Sequence, residues 1–364
     1  MFANALRGDP SWRTLSQDIQ PLVSVVTPFY NTEAYLAECI ESVLNQSYRN
    51  WEYLLVDNCS TDASASIAAH YARGDPRIHL IPYSEFVAQI PNYNRALQQI
   101  SPRSRYCKVV QADDWLFPDC LMRMVALAEA YPTVGVVSSY RIAGDSVSLR
   151  RLPYPVHFMT GADVCRLFFL DDINLFGSPT SLLIRSDLVR RRPSFYDESA
   201  WLIPDTEVCL DLLQCSDFAF VHQVLTFTRR NNSGSITASR KNFHPGPIEY
   251  LIALRKFGTK FLDLREYNRC LANAEQEYYL LLARCLWSRW GCKEFWQFYK
   301  RGLADAGGSL NWPRILTYAV LVGLWDLSRA AGGLLKQTVL TALRTTASAV
   351  RVSWGKLLLH HSNM

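Results

Sequence analysis

The sequence predicts an α/β fold in which helices cover both faces of a mostly parallel sheet, followed by a helical C-terminal region. In the first part of the chain, short β-branched runs alternate with amphipathic stretches, the rhythm of parallel strands joined by crossover helices. From Pro247 onward the pattern is helical and rich in Leu, Trp and Tyr. With 364 residues, 49% of them apolar, the chain is long enough for a large core and two domains.

The strands are predicted first, because they fix the position of everything else. Leu22–Thr27 (LVSVVT) is a continuous apolar run, typical of a strand buried on both faces. Further strands are predicted at 53–56, 78–81, 106–110, 134–139, 181–184 and 218–227. Helices are predicted at 32–44, 63–72, 92–100, 118–131, 161–170 and 205–215. We therefore expect a leader at 1–20, a catalytic domain at 21–240 and a helical region at 241–364.

Composition excludes several classes of function. A net charge of +5 is too small to indicate a nucleic-acid partner. The ten cysteines form no CxxC pair and no His-Cys cluster with zinc spacing, which favours free thiols in a reducing compartment. The N-terminus lacks a signal-peptide core, and the apolar run Leu316–Trp325 is too short to cross a bilayer. We expect a cytoplasmic protein.

The C-terminal residues leave two interpretations open. Four basic residues recur at intervals of seven, eight and seven, which places them on one side of a helix: Arg329, Lys336, Arg344 and Arg351. They form either a solvated face of a helix packed on the catalytic domain, or a basic amphipathic helix lying on anionic lipid. The second interpretation predicts a peripheral protein on the inner face of the cytoplasmic membrane.

Polar side chains follow three predicted strands where each strand ends, and ligands of open α/β sheets bind at that edge. These rim residues are Pro28, Phe29, Tyr30 and Asn31, then Asp57 and Asn58, then Gln111, Ala112, Asp113 and Asp114. This inventory suits a nucleotide: Tyr30 stacks on the base, Asp57 or Asn58 reads its edge, and Mn²⁺ or Mg²⁺ at Asp113 holds a diphosphate. No dinucleotide or P-loop glycine motif is present.

Six segments, taken in order, resemble one family. VSVVTPFYN, LLVDNCSTD and QADDWLFPDCL are followed by FGSPTSLLIRSDL, PDTEVCLDLL and LTFTRRNNSGSIT. Over residues 21–237 the chain resembles the inverting nucleotide-sugar glycosyltransferases of family 2, which have the Rossmann-like GT-A fold. The resemblance implies a nucleotide-sugar donor, a hydroxyl acceptor and a divalent metal, in synthesis of a bacterial surface polysaccharide or a lipid-linked glycan.

The same resemblance implies a role for each matching residue. Tyr30, Asp57 and Asn58, with the adjoining Pro28, Phe29 and Asn31, would hold the nucleoside. Asp113 would be the principal metal ligand beside Gln111 and Ala112, with Asp114 as the next candidate. Asp205 would be the catalytic base, with Glu207 two residues on, and Arg229 or Arg230 would meet the diphosphate. Gly177, Ser178 and Pro179 would lie near the acceptor.

Three positions depart from the family pattern. Gln111 stands where the metal motif commonly opens with Asp, and Asn58 stands where a second aspartate often reads uracil. Asn231 and Asn232 follow the late arginines, where a His is common. These departures leave the donor base open and remove one charge from the metal site.

Two other functions compete with glycosyl transfer. A nucleotidyltransferase would use a similar acidic rim, although no basic Gly-rich phosphate loop follows the first strand. A catalytically silent glycan- or membrane-binding protein would be consistent with Gln111 and Asn58. Asp205 follows Pro204 and precedes an apolar helix, so a helix N-cap is the structural alternative to a base.

Overall fold

The computed structural model describes residues 20–154, 156–230 and 243–330. The chain divides into two compact units, Met1–Ser239 and Arg240–Met364. The first unit contains the sheet and its helices, and the described part of the second unit is helical. The leader and the basic residues Lys336, Arg344 and Arg351 lie outside the described residues.

Ten strands are found in the described part of the first unit. In chain order β1 to β10 are Val23–Phe29, Trp51–Asp57, Ile78–Pro82, Tyr106–Val109, Trp115–Leu116, Val134–Ala143, Ser146–Ser148, Phe158–Met159, Leu183–Arg185 and Asp217–Thr228. The order across the sheet is β3-β2-β1-β4-β9-β6-β10-β5, with β7 beside β6 and β8 beside β10. The long strands pair in parallel, as β3-β2-β1-β4 and as β6-β10. Short β9 joins these two parallel groups through antiparallel pairing.

Seven helices accompany the sheet in the described residues. These are α1 to α7, at Leu36–Leu44, Ser64–Gly74, Gln89–Leu97, Cys120–Ala130, Gly161–Asp171, Ser186–Arg190 and Pro204–Leu212. Helix α1 buries Leu36, Cys39, Ile40 and Val43, positions spaced three and four apart on one face. They pack with the fully buried strand β1 in the main core.

The predicted element order is confirmed, and the boundaries differ in two informative places. Strand β1 continues through Pro28 to Phe29, although PFYN reads as the end of a strand. Proline is tolerated because parallel pairing in register continues beside β2, where Pro28 lies opposite Val56. Helix α1 begins at Leu36 rather than at Thr32, because residues 33–35 form a turn.

The second unit contains four helices in its described part. These are α8 to α11, at Gly246–Phe261, Leu264–Cys285, Lys293–Asp305 and Trp312–Ala330. Gly307 and Gly308 lie between α10 and α11, and Pro313 is the second residue of α11. Within the described residues, no helix combines the length and the hydropathy that crossing a membrane requires.

Candidate active site

The three predicted rim segments meet at one edge of the sheet. Strand β1 lies between β2 and β4 and runs parallel to both, so their carboxyl ends point the same way. Phe29 and Asp57 are register partners at the ends of β1 and β2. The segment Gln111–Asp114 follows β4 on the other side. The structure thus brings together the groups that the sequence predicts at the rim.

At the outer end of this rim, two aromatic rings are in contact. Tyr30 and Phe86 are both exposed, and their ring centroids are 4.6 Å apart. Asn31 adopts a positive φ of 50° and accepts a hydrogen bond from the Thr61 backbone N–H at 2.8 Å, which ties the first rim segment to the second. The sequence analysis missed Phe86, although its position just after β3 was a usable signal.

Asp57 and Asn58 are both buried but have different environments. The Asn58 side chain donates to the Val87 carbonyl at 2.8 Å and accepts from the Val87 N–H at 3.1 Å. Both ends of its amide therefore hold the backbone that follows Phe86. One Asp57 oxygen accepts a hydrogen bond from the Ser60 N–H at 2.9 Å. Of the two residues, Asp57 has a side chain better placed to meet a base.

The adjacent carboxylates of Asp113 and Asp114 differ sharply in exposure. Asp114 is buried, and its two oxygens accept hydrogen bonds from the Thr180 hydroxyl at 2.6 Å and from the Arg229 N–H at 2.9 Å. Burial, and then the charge of Asp113, raise the pKa of Asp114 to about 7. Asp113 is partly exposed. The two carboxylates are thus separated in role, with Asp114 directed into the protein.

Thr180 connects the acidic segment to the loop predicted near the acceptor. Its hydroxyl also accepts a hydrogen bond from the Gln111 N–H at 3.0 Å, and its carbonyl accepts one from Lys108 at 2.6 Å. Lys108 is fully buried on β4, and burial lowers its pKa. Gly177, with φ 75°, Ser178 and Pro179 directly precede this residue. Thr180 and Lys108 were not identified from the sequence.

Asp205 lies at the second position of α7 rather than at its cap. The N-cap residue is Ile203, and it makes no side-chain capping bond. The structure therefore contradicts the alternative that Asp205 serves as the N-cap. Asp205 is only partly exposed, and the removal of its carboxyl group from bulk water raises its pKa to about 7. The Tyr196 hydroxyl donates a hydrogen bond to it.

Two tyrosines connect Asp205 with the acidic rim. Tyr196 packs edge-on against Tyr93 with ring centroids 5.9 Å apart, and Tyr93 is hydrogen-bonded to the side chain of Gln111. Burial is the main cause that raises the pKa of Tyr93. The hydrogen bond with Gln111 lowers it, and the charges of Asp205, Asp113 and Asp114 raise it further. The three carboxylates therefore all lie within electrostatic range of one buried tyrosine. Tyr93 and Tyr196 were also missed in the sequence.

A buried arginine lies in the same field. Arg141 on β6 interacts electrostatically with Asp114 and Asp205, and with the positive charge of Arg230. Burial lowers its pKa to about 10, far enough above neutrality for the guanidinium to stay charged. Its Nε is buried without a hydrogen-bond partner. Nothing in the strand pattern of β6 distinguishes this residue in the sequence.

The two late arginines are placed differently. Arg229 donates from Nε to the Asp113 carbonyl at 3.0 Å, pairs with Glu38 and lies over the Tyr35 ring. It therefore fixes the backbone of the acidic segment. Arg230 is exposed beside it. Glu207 is buried on α7 about 200° around the helix from Asp205, so the two side chains leave opposite sides.

A family model described as glycosyl transferase family 2 matches residues 24–193, which include β1, the acidic segment and the Thr180 loop. This stretch of the chain is a glycosyl transferase family 2 domain. The base candidate Asp205 and both late arginines lie beyond the matched residues.

Curated relatives match shorter stretches of the chain. The putative glycosyltransferase EpsE of Bacillus subtilis is 32% identical over 189 residues, which are 50% of this chain and 66% of EpsE. The putative teichuronic acid biosynthesis glycosyltransferase TuaG of the same organism is 39% identical over 95 residues, covering 26% of this chain and 37% of TuaG. The chain thus spans less than two thirds of the length of these family 2 relatives.

Solved structures match almost the whole chain at low identity. Residues 1–349 of S. aureus TarS, in complex with UDP-GlcNAc, superpose with a TM-score of 0.58 at 16% identity, covering 90% of this chain and 91% of TarS 1–349. The mannosyltransferase PcManGT of Pyrobaculum calidifontis, in complex with GDP-Man and Mn²⁺, gives a TM-score of 0.51 at 18% identity. This match covers 93% of this chain and 89% of PcManGT. These matches confirm the predicted GT-A-like fold.

Proposed function

We propose that this protein is an inverting glycosyltransferase that moves a sugar from a nucleotide donor to a hydroxyl acceptor. The observation that carries the proposal is that two acidic positions from different elements lie within electrostatic range of Tyr93. Asp113 comes from the end of β4, and Asp205 comes from α7. An in-line displacement needs acidic groups at two places, one near the leaving diphosphate and one near the attacking hydroxyl.

The donor's nucleoside fits the aromatic end of the rim. The exposed faces of Tyr30 and Phe86 provide a stacking surface for a base, and Asp57 at the end of β2 provides a carboxylate. TarS 1–349 was solved in complex with UDP-GlcNAc and PcManGT in complex with GDP-Man, which supports a nucleotide-sugar donor. Because the Asn58 amide is occupied by Val87, we assign base contact to Asp57 rather than to Asn58.

We propose Asp113 as the residue that holds a divalent metal. Its partly exposed carboxylate fits a hard cation that shares its remaining ligands with donor phosphates, and PcManGT was solved with Mn²⁺. No group of three His, Cys, Asp or Glu side chains able to hold a metal is found among the described residues. The bound metal would stabilise charge on the leaving diphosphate. Exposed Arg230, which is within electrostatic range of Arg141, is our candidate for a further positive charge there.

Asp205 is the proposed proton acceptor. The acceptor oxygen forms a bond to the anomeric carbon while the bond from that carbon to the phosphate oxygen breaks, and the acceptor proton passes to Asp205. A carboxyl with a pKa raised to about 7 is well matched to this role near neutral pH. Because Glu207 leaves the opposite side of α7, we place the base at Asp205 alone.

The acceptor side of the proposal rests on the loop that precedes Thr180. Gly177, Ser178 and Pro179 reach the acidic segment through the bond from Thr180 to Asp114. The name of TuaG includes teichuronic acid biosynthesis, which supports a surface polysaccharide or a lipid-linked glycan as acceptor. We propose that the enzyme works at the cytoplasmic face of the membrane, where such an acceptor would be presented.

Thermal unfolding of the full-length protein with nucleoside diphosphates tests the donor and metal parts together. UDP or GDP should raise the melting temperature more with Mn²⁺ than without it, since a ligand of the folded state alone stabilises that state. Asp113→Ala should abolish the Mn²⁺-dependent part of the shift, whereas Asp119→Ala at an exposed position should keep it. An unchanged metal effect in Asp113→Ala would refute the assignment of the metal to Asp113.

A further inference from the structure

Over residues 312–323, helix α11 presents an apolar side to solvent, and the exposed charge of Asp326 follows at the next turn. Between Trp312 and Gly323 every exposed residue is apolar or glycine, namely Trp312, Pro313, Leu316, Val320 and Gly323. Trp312 is 41% exposed, Leu316 48% and Val320 60%. The opposite side of the helix buries Ile315, Tyr318 and Leu321. Over residues 312–323, one side of the helix is therefore packed against protein, and the other side exposes apolar side chains to solvent.

Two tryptophans from the segment between α9 and α10 extend this surface. Trp287 is 79% exposed and Trp290 is 62% exposed, and their rings stack with centroids 6.5 Å apart. The Trp290 ring lies 6.2 Å from that of Trp312. We call Trp287, Trp290, Trp312, Leu316 and Val320 the apolar patch. Contiguous exposed apolar surface of this kind marks a binding face.

An open groove of about 490 Å³ lies beside the apolar patch. Trp290, Trp296 and Trp312 line it, together with the Lys293 ammonium and the Gln297 amide. Only these two polar side chains line it, far fewer than the hydroxyl groups of an oligosaccharide would need. An apolar groove edged by a cation suits a phospholipid, because the acyl chains can contact the tryptophans while the anionic phosphate contacts the Lys293 ammonium.

Along the sequence, positive charge is concentrated in the part of the chain that contains the apolar patch. From Arg284 to the C-terminus the sequence contains eleven Lys and Arg against three acids, a net charge of +8. The whole chain carries +5, so the residues before Arg284 are net negative. A surface that combines exposed tryptophans with surplus positive charge is complementary to an anionic bilayer, where Trp favours the interface.

We propose that the apolar patch is the membrane-contacting surface of this enzyme, with Trp287, Trp290, Trp312, Leu316 and Val320 inserted among the headgroups of anionic phospholipids. The proposal rests on the proposed function for its biological sense, since a lipid-linked acceptor would lie in that membrane. The sequence predicted membrane contact through the basic residues from Arg329 onward. The proposal instead assigns the contact to described residues of the second unit. Insertion would be shallow, as for interfacial helices.

Co-sedimentation of the full-length protein with phosphatidylglycerol–phosphatidylcholine vesicles tests the proposal. The wild type should bind them, bind pure phosphatidylcholine vesicles more weakly, and lose binding as salt rises. The double variant Leu316→Glu, Val320→Glu should bind at least tenfold more weakly. Leu264→Glu, at an exposed apolar position of α9 outside the apolar patch, should bind like the wild type.

Two results would overturn the proposal. One is equal vesicle binding by the double variant and the wild type. The other is a wild-type dimer in light scattering that the double variant converts to monomer, with no vesicle binding by either, because the patch would then be a protein interface. The Mn²⁺-dependent melting shift with UDP or GDP is measured on the same proteins. If vesicle binding holds while that shift is absent, the proposed function fails and the membrane surface stands.

Discussion

Asp205 shows how burial sets the chemistry of one residue. Its pKa of about 7 means that the proposed base is protonated in acid and becomes ionised near neutrality. The transfer rate should therefore rise about tenfold per pH unit below that value and level off above it. Measuring kcat/KM from pH 5 to pH 9 gives this profile. A rate that is independent of pH across neutrality would contradict the assignment.

Asp205→Asn should slow transfer by roughly 10²-fold or more while nucleotide and metal affinities stay unchanged, because the amide keeps the shape and loses the proton acceptor. The same substitution should slow the reaction but increase the stability of the folded protein above neutral pH. A carboxyl whose pKa is raised in the folded state destabilises the protein increasingly as pH rises from about 4 through 7. The variant should therefore melt at a higher temperature than the wild type at pH 8, and at a similar temperature near pH 4.

Arg141 is predicted to tune Asp205 through its positive charge. That charge lowers the pKa of Asp205 and so opposes the effect of burial. Arg141→Gln should shift the midpoint of the pH–rate profile to higher pH, since the carboxyl becomes harder to ionise. Arg141→Lys keeps the charge and should keep the midpoint close to that of the wild type. Equal midpoints for Arg141→Gln and the wild type would show that Arg141 is too distant from Asp205 to change its pKa.

At the scale of elements, the position of α7 depends on a close contact with the start of α5. A Cβ at Gly161 would lie 2.1 Å from the Leu213 carbonyl oxygen and 2.2 Å from that of Ser216, both backbone atoms that follow α7. Gly161→Ala should therefore destabilise the protein by about 1–3 kcal/mol. Gly74→Ala has no neighbour within 4 Å at the end of α2 and should be neutral or slightly stabilising. Melting temperatures of both variants check this difference.

The sequence predicted most elements because periodicity and strand-end chemistry are local. All seven predicted strands are observed, and the extra strands β5, β7 and β8 are only two or three residues long. Such short strands exist because a long neighbour, β6 or β10, offers pairing partners. Their pattern in the sequence is too short to detect, so only tertiary pairing reveals them.

The same distinction explains which site residues the sequence could predict. Asp113, Asp205 and Tyr30 lie in motifs, but the groups that give them different roles come from distant segments. Thr180 meets Asp114 across 66 positions, and Tyr196 joins Asp205 to Tyr93. Asn58 follows the end of β2 and Arg229 lies beside the acidic segment, but their side chains donate hydrogen bonds to the backbone carbonyls of Val87 and Asp113. Such partners depend on tertiary packing, which a residue pattern does not encode.

For the whole molecule, the proposal combines a donor rim, a proton acceptor and a second unit with an apolar patch. The glycosyl transferase family 2 match over residues 24–193 and the GT-A-like fold support glycosyl transfer, while the sheet-edge carboxylates would also serve a nucleotidyltransferase. The two reactions break different bonds of the same donor. Glycosyl transfer releases a nucleoside diphosphate, whereas nucleotidyl transfer makes or consumes pyrophosphate. The products therefore decide the function.

The most direct measurement is NMR of the products formed from a panel of nucleotide-sugars with Mn²⁺, with water as the acceptor where no better one is known. The account predicts a nucleoside diphosphate and a sugar whose first-formed anomer is opposite to that of the donor. Both products should form roughly 10²-fold more slowly or slower still in Asp205→Asn, and at the wild-type rate in Gly74→Ala. Formation of pyrophosphate, a retained anomer, or binding of nucleotide without any turnover across the panel would contradict it.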